Sequence, residues 1–351
     1  SSFRMSYLDI ISDAINAGGL PSYSDYQGKI NYRPNSYSNF TILGILGSSL
    51  YERNVKYARS NGENSYGYVK NNQSTLGLNH RFIWSQNGFS NSSVSLTDQT
   101  SKNNFFNIDN DSTLNAVNDS YKTLHIRNVN QIRIRDKVNT TTGFEYHNRD
   151  LSYDFTLNEL YLKDNLIFTN VAAFSNISFP FKSISNISLG MRLEKSDFEE
   201  KINFSPRVNI DFDLPLQFGK VIFNGGRYFQ NPPEKYLGLV EDDNLESVRA
   251  EQYSFSYEKL LNESTKLSVS IYNKKYSHAP IVLSGDSTAS PAFLMDRSIT
   301  FNQLKSEGNA EAGGIEFLIE KKRAENFYGH VGGSLFNSMY VDYQGIERNR
   351  D

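Results

Sequence analysis

The sequence predicts an all-β protein whose antiparallel strands follow one another along the chain as an up-and-down barrel that crosses a membrane. Three observations favour this fold class. Apolar and polar residues alternate with a period of two, short and long connections alternate along the chain, and tyrosines gather near the ends of the alternating runs. The alternation of polarity predicts the strands, and the alternation of connection lengths predicts their order. The position of the tyrosines predicts where the membrane surfaces lie.

Composition excludes several other classes of protein. The chain has 351 residues, of which 38% are hydrophobic, and no run approaches the ~20 apolar residues that a spanning helix needs. It contains no cysteine, which excludes disulfides, thiolate zinc sites and cysteine nucleophiles. The net charge of -3 is too balanced for a nucleic-acid-binding protein. A membrane barrel remains possible, because half of each barrel strand is polar.

Strands are predicted where side chains alternate in polarity, because successive side chains of an extended chain point to opposite faces. In YQGKINYRP, residues 26–34, one face carries Tyr26, Gly28, Ile30 and Tyr32. The same alternation recurs in five later stretches: ISLGMRLE (187–194), RVNIDFDL (207–214), YSFSYE (253–258), KLSVSIYN (266–273) and GIEFLIEK (314–321).

The connections between these runs alternate in length. Six are short: 33–39, 85–88, 179–182, 215–220, 260–265 and 322–326. Five longer stretches rich in Asn, Ser and Asp are interpreted as loops: 52–74, 97–120, 148–163, 231–250 and 277–310. Alternate connections of a meander lie at opposite ends of the sheet, so one end has tight turns and the other long loops, as in outer-membrane barrels. In residues 7–19 the apolar side chains recur at helical spacing, and the segment ends in two glycines. This pattern predicts a short helix within a loop.

Alternation alone does not show which face meets water. A soluble all-β protein would bury the apolar face in a core, whereas a membrane barrel turns it toward lipid. Polar residues persist into the strand interiors here, as a wet lumen allows, and Tyr26, Tyr32, Tyr253 and Tyr257 lie near strand ends, where barrels place aromatic girdles. The apolar face of 26–34 is therefore predicted to face lipid.

Three stretches carry a more specific pattern. They are FRMSYLDIISDAINAGGLPSYSDYQGKINYRPNSYSNFTILGILG (3–47), FSPRVNIDF (204–212) followed by GGRYFQNPP (225–233), and EGNAEAGGIEFLIEK (307–321). In this order they resemble the barrel of TonB-dependent outer-membrane receptors, although Ala310 stands where that family often has glycine.

The resemblance implies a plugged barrel of about 22 strands in the outer membrane of a Gram-negative bacterium. The alternating runs predict about fourteen strands, in one barrel domain spanning residues 1–351. No counterpart of the family's N-terminal plug domain or of its closing strands is recognised. We therefore expect an open sheet that forms part of a barrel wall.

The same resemblance implies a receptor and transporter, not an enzyme, with no cofactor. Its expected partners are outer-membrane lipid, a small nutrient such as a ferric siderophore, and the inner-membrane protein TonB acting through a plug domain. The alternative is a passive porin-like or fatty-acid-type channel. The residues do not distinguish a siderophore from cobalamin, a glycan or a peptide.

Ligand-binding residues are predicted at the bases of the long loops, because binding residues concentrate on loops held by a rigid scaffold. They are Arg227, Tyr228, Gln230, Asn231 and Tyr236. No catalytic or metal-binding motif is found, and the five histidines are scattered in the sequence. The arginines at 81, 127, 133, 192 and 227 are expected either to pair with lumenal carboxylates or with the plug, or to attract an anionic ligand.

Overall fold

A computed structural model describes nine ranges of the chain: 1–6, 21–135, 137–157, 160–181, 185–233, 245–282, 304–324, 327–341 and 345–349. These contain sixteen strands: β1 Ser2–Met5, β2 Ser22–Tyr32, β3 Ser38–Arg53, β4 Ser65–Ser85, β5 Gly88–Asn107, β6 Thr113–Ile134, β7 Val138–Leu157, β8 Leu160–Phe181, β9 Ser185–Ser196, β10 Asn203–Leu214, β11 Gly219–Gln230, β12 Val248–Asn262, β13 Thr265–Val282, β14 Leu304–Ala324, β15 Phe327–Val341 and β16 Glu347–Asn349. The helix predicted at 7–19 lies outside the described residues.

The strands form one antiparallel sheet in which each strand pairs with its neighbours in the sequence. The strand order begins at β1 and ends at β16, as predicted for a sheet that does not close on itself. The prediction of about fourteen strands is close. The terminal strands β1 and β16 have only four and three residues, which is too short for alternation to reveal.

A short helix, α1 (Val55–Ser60), lies between β3 and β4. Its N-cap is Asn54, whose side-chain oxygen accepts a hydrogen bond of 2.8 Å from the backbone N–H of Tyr57. No helix in the described ranges is long and apolar enough to cross a bilayer.

The chain divides into two compact units. The first contains residues 1–130 and 144–171, and the second contains residues 131–143 and 172–351. That residues 1–351 act as one barrel domain stays a prediction.

In the first unit, strand register extends the predicted alternation from strand to strand. Ile30, Ile42, Leu78 and Val94 are directly opposite one another across β2 to β5 and define the apolar face of this unit. The opposite, polar face carries hydrogen-bonded pairs such as Thr75 with Thr97, 3.0 Å apart. Ile30 is 65% exposed in the chain, so its face needs an apolar environment other than the protein itself.

The second unit repeats this arrangement over seven strands. One cross-strand row, which defines its apolar face, contains Ile187, Ile210, Phe223, Phe255, Ile271, Ile315 and Leu335. On the opposite, polar face Asn209 donates to Asn224 at 2.6 Å, and Asn224 donates to Ser254 at 3.3 Å. The alternation predicted in RVNIDFDL is confirmed.

The protein interior is small. Only ten apolar residues of the described ranges are buried, whereas many large apolar side chains on the apolar faces are about half exposed, such as Phe255 at 52% and Ile271 at 53%. A soluble sandwich of this length would bury its apolar faces against each other. The soluble alternative is therefore wrong, and the exposed apolar faces fit a membrane-spanning wall.

The strands are longer than the composition suggested. The stretches 52–74, 97–120 and 148–163 were predicted to be loops, but β4, β5, β6, β7 and β8 extend through much of them. Their Asn, Ser and Thr side chains bond across neighbouring strands: Ser48 donates to Asn72 at 2.9 Å, and Asn72 donates to Thr100 at 3.3 Å. Residues typical of loops thus stabilise strand extensions. The strand bounds confirm the six short connections, and the connections that follow β5, β6, β7, β9 and β15 are short as well.

Candidate ligand-binding site

The central feature of the candidate site is an arginine stacked on a tyrosine on the polar face of the second unit. Arg207 in β10 is directly opposite Gly226 in β11. A Cβ atom at Gly226 would lie 3.2 Å from Arg207 Cγ and 3.2 Å from Tyr228 Cε2. The missing side chain therefore allows the Arg207 guanidinium to lie over the Tyr228 ring, with Cζ 4.6 Å from the ring centroid.

Arg207 carries a positive charge that no described carboxylate neutralises. No carboxylate among the described residues pairs with it, whereas Arg192 on the same polar face forms an ion pair of 2.7 Å with Glu194. Arg207 is exposed, and its contact with the Tyr228 ring orients the guanidinium. A planar cation held beside an aromatic ring is suited to an anionic or aromatic ligand.

A largely buried cluster of polar side chains, here called the loop-base cluster, consists of Ser196, Glu199, Asn203, Asn231 and Ser247. The Glu199 carboxylate accepts hydrogen bonds from the Ser247 backbone N–H at 3.1 Å, from the Ser247 hydroxyl at 2.7 Å and from the Asn203 amide. The Asn231 side-chain oxygen accepts from Ser196 at 3.2 Å and from Ser247 at 3.1 Å. Glu199 is only 9% exposed, so these donors replace the water that the carboxylate loses.

The loop-base cluster fixes the connection between β11 and β12 at both ends. Asn231 follows β11 and Ser247 precedes β12, while Glu199 belongs to the connection between β9 and β10. The long segment predicted as a binding loop is thus anchored where it leaves and rejoins the sheet.

Glu246 makes a second set of contacts beside the cluster. Its carboxylate lies 2.6 Å from Lys201 Nζ and 3.0 Å from His278 Nδ1, and its backbone N–H donates to Ser306 Oγ at 2.8 Å. The hydrogen bond that Lys201 donates to Glu246 raises the pKa of Lys201. His278 and Ser306 lie near the end of β13 and the start of β14. These contacts therefore hold the base of the connection between β13 and β14 next to the loop-base cluster.

The predicted site residues are divided between the two faces. Tyr228 and Gln230 share the polar face, and Asn231 belongs to the loop-base cluster. Arg227 lies on the other side of β11, in a cross-strand row of alternating charge: Arg227, Glu251, Lys275 and Glu311. Arg227 pairs there with Glu251 at 3.0 Å. Tyr236 lies outside the described residues.

Sequence reasoning missed Arg207, Glu199 and Ser247. Arg207 had a signal, since it belongs to the Ser-Pro-Arg stretch and shares the parity of Asn209. Glu199 and Ser247 had none, because residues 48 positions apart meet only in the fold.

The polar face of the first unit also brings together residues that are scattered in the sequence. The rings of His125 and His147 meet edge to face at 5.8 Å, and Arg127 pairs with Glu145 at 2.8 Å. Pairing with carboxylates is thus the observed role of Arg127, Arg192 and Arg227. In the part of the chain that the structure describes, no three His, Asp or Glu side chains are grouped as a metal site.

Comparison with known proteins identifies the fold. The family profile described as TonB dependent receptor-like, beta-barrel matches residues 4–347. No curated protein matches. Among solved structures, the outer membrane transporter YddB from Escherichia coli is 9% identical with a TM-score of 0.71, over 92% of this chain and 48% of that one.

Two receptors give similar matches. The ferric enterobactin receptor PfeA from Pseudomonas aeruginosa, in a mutant form, is 12% identical with a TM-score of 0.71, over 92% of this chain and 56% of that one. The alcaligin receptor FauA from Bordetella pertussis is 11% identical with a TM-score of 0.65, over 94% of this chain and 55% of that one. This chain spans about half the length of these proteins. The chain therefore belongs to the TonB-dependent receptor-like β-barrel family, whose members lie in the outer membrane of Gram-negative bacteria.

Proposed function

We propose that this chain is part of the barrel wall of an outer-membrane receptor that takes up a bulky, anionic nutrient of the ferric siderophore class. The observation that supports this most directly is the Arg207–Tyr228 pair, because it presents on the polar face a cation that pairs with no carboxylate of the described ranges. Siderophore receptors of the same fold, such as the ferric enterobactin and alcaligin receptors, agree with this ligand class.

Of the other predicted residues, Gln230 and Asn231 act with this pair, whereas Arg227 lies on the opposite face of β11. Gln230 and Tyr228 are on the same face as Arg207, where they contribute an amide and a phenol to the ligand. Asn231 has a supporting role, since its side chain holds the loop-base cluster. We expect the segments between β11 and β12 and between β13 and β14 to contribute further ligand contacts. No catalytic step is assigned to any of these residues.

We further propose that TonB supplies the energy for uptake. Bulky ligands do not diffuse through a plugged barrel, so release into the periplasm requires work on the plug. Uptake should therefore stop in a strain without TonB, while ligand binding at the cell surface continues. Uptake that persists in that strain would instead indicate a passive channel.

The ligand site is tested by two arginine variants on opposite faces of the wall. Arg207→Ala removes the cation of the polar face, and Arg227→Ala removes one that is paired with Glu251 on the other face. The complete receptor is purified, its bound ligand identified by mass spectrometry, and the affinity measured by titration calorimetry. We expect Arg207→Ala to weaken binding by about 10-fold or more, the loss of one charge-assisted hydrogen bond, and Arg227→Ala to leave it unchanged.

Equal affinities in the wild type and Arg207→Ala would contradict the site. A neutral or cationic ligand would contradict the proposed ligand class. The Arg207 guanidinium would form no ion pair with a neutral ligand and would repel a cationic one.

A further inference from the structure

The apolar face of the first unit contains a groove, here called the outer groove, with a volume of about 630 Å³. Its apolar wall consists of Tyr26, Leu46, Leu76, Leu96 and Leu124. This volume is in the range of specific ligand sites, and a smooth barrel surface would not need such a depression.

The groove exists because Gly44 leaves its floor without a side chain. Gly28 and Gly44 are directly opposite each other in β2 and β3. The Tyr26 ring lies over Gly28, where a Cβ atom would be 3.4 Å from the phenol oxygen. At Gly44 a Cβ atom would meet nothing within 4 Å, so the floor stays open there.

Three unpaired charges line the same groove: Asp98, Lys122 and Asp150. All three side chains are exposed. None forms a hydrogen bond or ion pair with another described residue, in contrast to Arg127 and Glu145 on the polar face. The groove thus combines an apolar wall with charged groups that are free to bind a ligand.

The position of the groove relates it to one leaflet of the bilayer. Leu76 pairs with Gly44 and Leu96, but the next row toward the loops contains Leu46, Ser74 and Asp98. The row after that is the polar one formed by Ser48, Asn72 and Thr100. The groove therefore lies where the apolar band ends, at headgroup level, on the long-loop side that faces the cell exterior in outer-membrane barrels.

We propose that the outer groove binds one acyl chain of an outer-leaflet glycolipid and holds its headgroup at the charged rim. The groove is continuous with the face that the bilayer already covers, so a lipid chain is its natural occupant. Lys122 would contact a phosphate. Asp98 and Asp150 would repel further phosphates but accept hydrogen bonds from sugar hydroxyls, which favours a glycolipid over a phospholipid.

Two glycines provide a matched pair of variants. Gly44 lies on the apolar face, and Gly47 lies on the polar face opposite Asp25 and Gln73. A Cβ atom would meet nothing within 4 Å at either position, so phenylalanine can be introduced at both. Gly44→Phe fills the groove, whereas Gly47→Phe adds the same side chain on the other face. Lys122→Gln removes the rim cation at an exposed position and tests the headgroup contact without a change in packing.

The complete receptor and its variants are extracted from outer membranes in mild detergent, and bound glycolipid and phospholipid are quantified by native mass spectrometry. We expect the wild type and Gly47→Phe to retain glycolipid. Gly44→Phe should retain roughly 10-fold less, as expected for the loss of about two buried CH₂ groups, and Lys122→Gln several-fold less.

Three results would overturn the proposal: no retained lipid in the wild type, phospholipid in place of glycolipid, or equal retention in Gly44→Phe and the wild type. Nutrient binding is measured on the same samples and should be unchanged in Gly44→Phe, so that failure of the lipid site and failure of the nutrient site are distinguishable.

Discussion

Arginine at Ile210 tests whether the apolar face of the second unit is in contact with hydrocarbon. Ile210 is directly opposite Ile187 and Phe223, in the row that continues to Ile315. The nearest charged row on that face begins at Arg227, four residues beyond Phe223, which is roughly 13 Å along the strand. A guanidinium at position 210 cannot reach that row, so we expect the substitution to destabilise the folded receptor by about 2–4 kcal/mol.

The matched control is Asn209→Arg, one residue away on the polar face. This substitution loses the 2.6 Å hydrogen bond to Asn224, worth about 1 kcal/mol, but leaves the new charge in water. Both variants of the complete receptor are folded into phospholipid vesicles and unfolded with guanidinium chloride. Equal losses, or a larger loss for Asn209→Arg, would refute the assignment of Ile210 to lipid.

Three further outcomes follow from the candidate site. Glu199→Ala leaves the buried donors of Asn203 and Ser247 without an acceptor, so we expect a loss of about 1–3 kcal/mol and faster proteolytic cleavage in 231–247, while Glu199→Gln keeps part of the protection. Gly226→Ala should displace Arg207 from Tyr228 and weaken ligand binding several-fold, and its effect should not add to that of Arg207→Ala in calorimetry. Because the hydrogen bond to Glu246 raises the pKa of Lys201, the ion pair between them should persist from neutral pH to pH 10.5 and be lost as the pH rises further through the raised value, which NMR of ¹³C-methylated lysines can follow. Loss of the pair between neutral pH and pH 10.5 would contradict this.

Period-two alternation was sufficient to predict the strands that carry an apolar face. RVNIDFDL and GIEFLIEK both show the predicted alternation, because half of their side chains must face hydrocarbon and half must not. The same signal failed beyond the apolar band. Asn72 and Thr100 lie in strands whose two faces are both wet there, so polarity no longer distinguishes strand from loop.

The candidate site was only partly predictable. The run Arg227-Tyr228 was assigned to one site, although adjacent strand residues point to opposite faces, and the parity of Phe223 already placed Arg227 on the apolar side. The sequence alone is therefore sufficient to separate Arg227 from Tyr228. It cannot supply the meeting of Glu199 with Ser247, because a hydrogen bond between residues so far apart depends on strand pairing and not on any local pattern.

The most direct test of the central claim, that one face of this wall meets lipid and the other meets water, uses single cysteines. The chain has no cysteine of its own, so spin labels can be placed at one position at a time. Ile271 and Ser270 are adjacent in β13, the first in the apolar row and the second bonded to Ser256 on the polar face. In the membrane-reconstituted receptor, the label at Ile271→Cys should be relaxed by dissolved oxygen and shielded from a water-soluble nickel complex. The label at Ser270→Cys should show the reverse, and the same response at both positions, or the opposite pattern, would contradict the account.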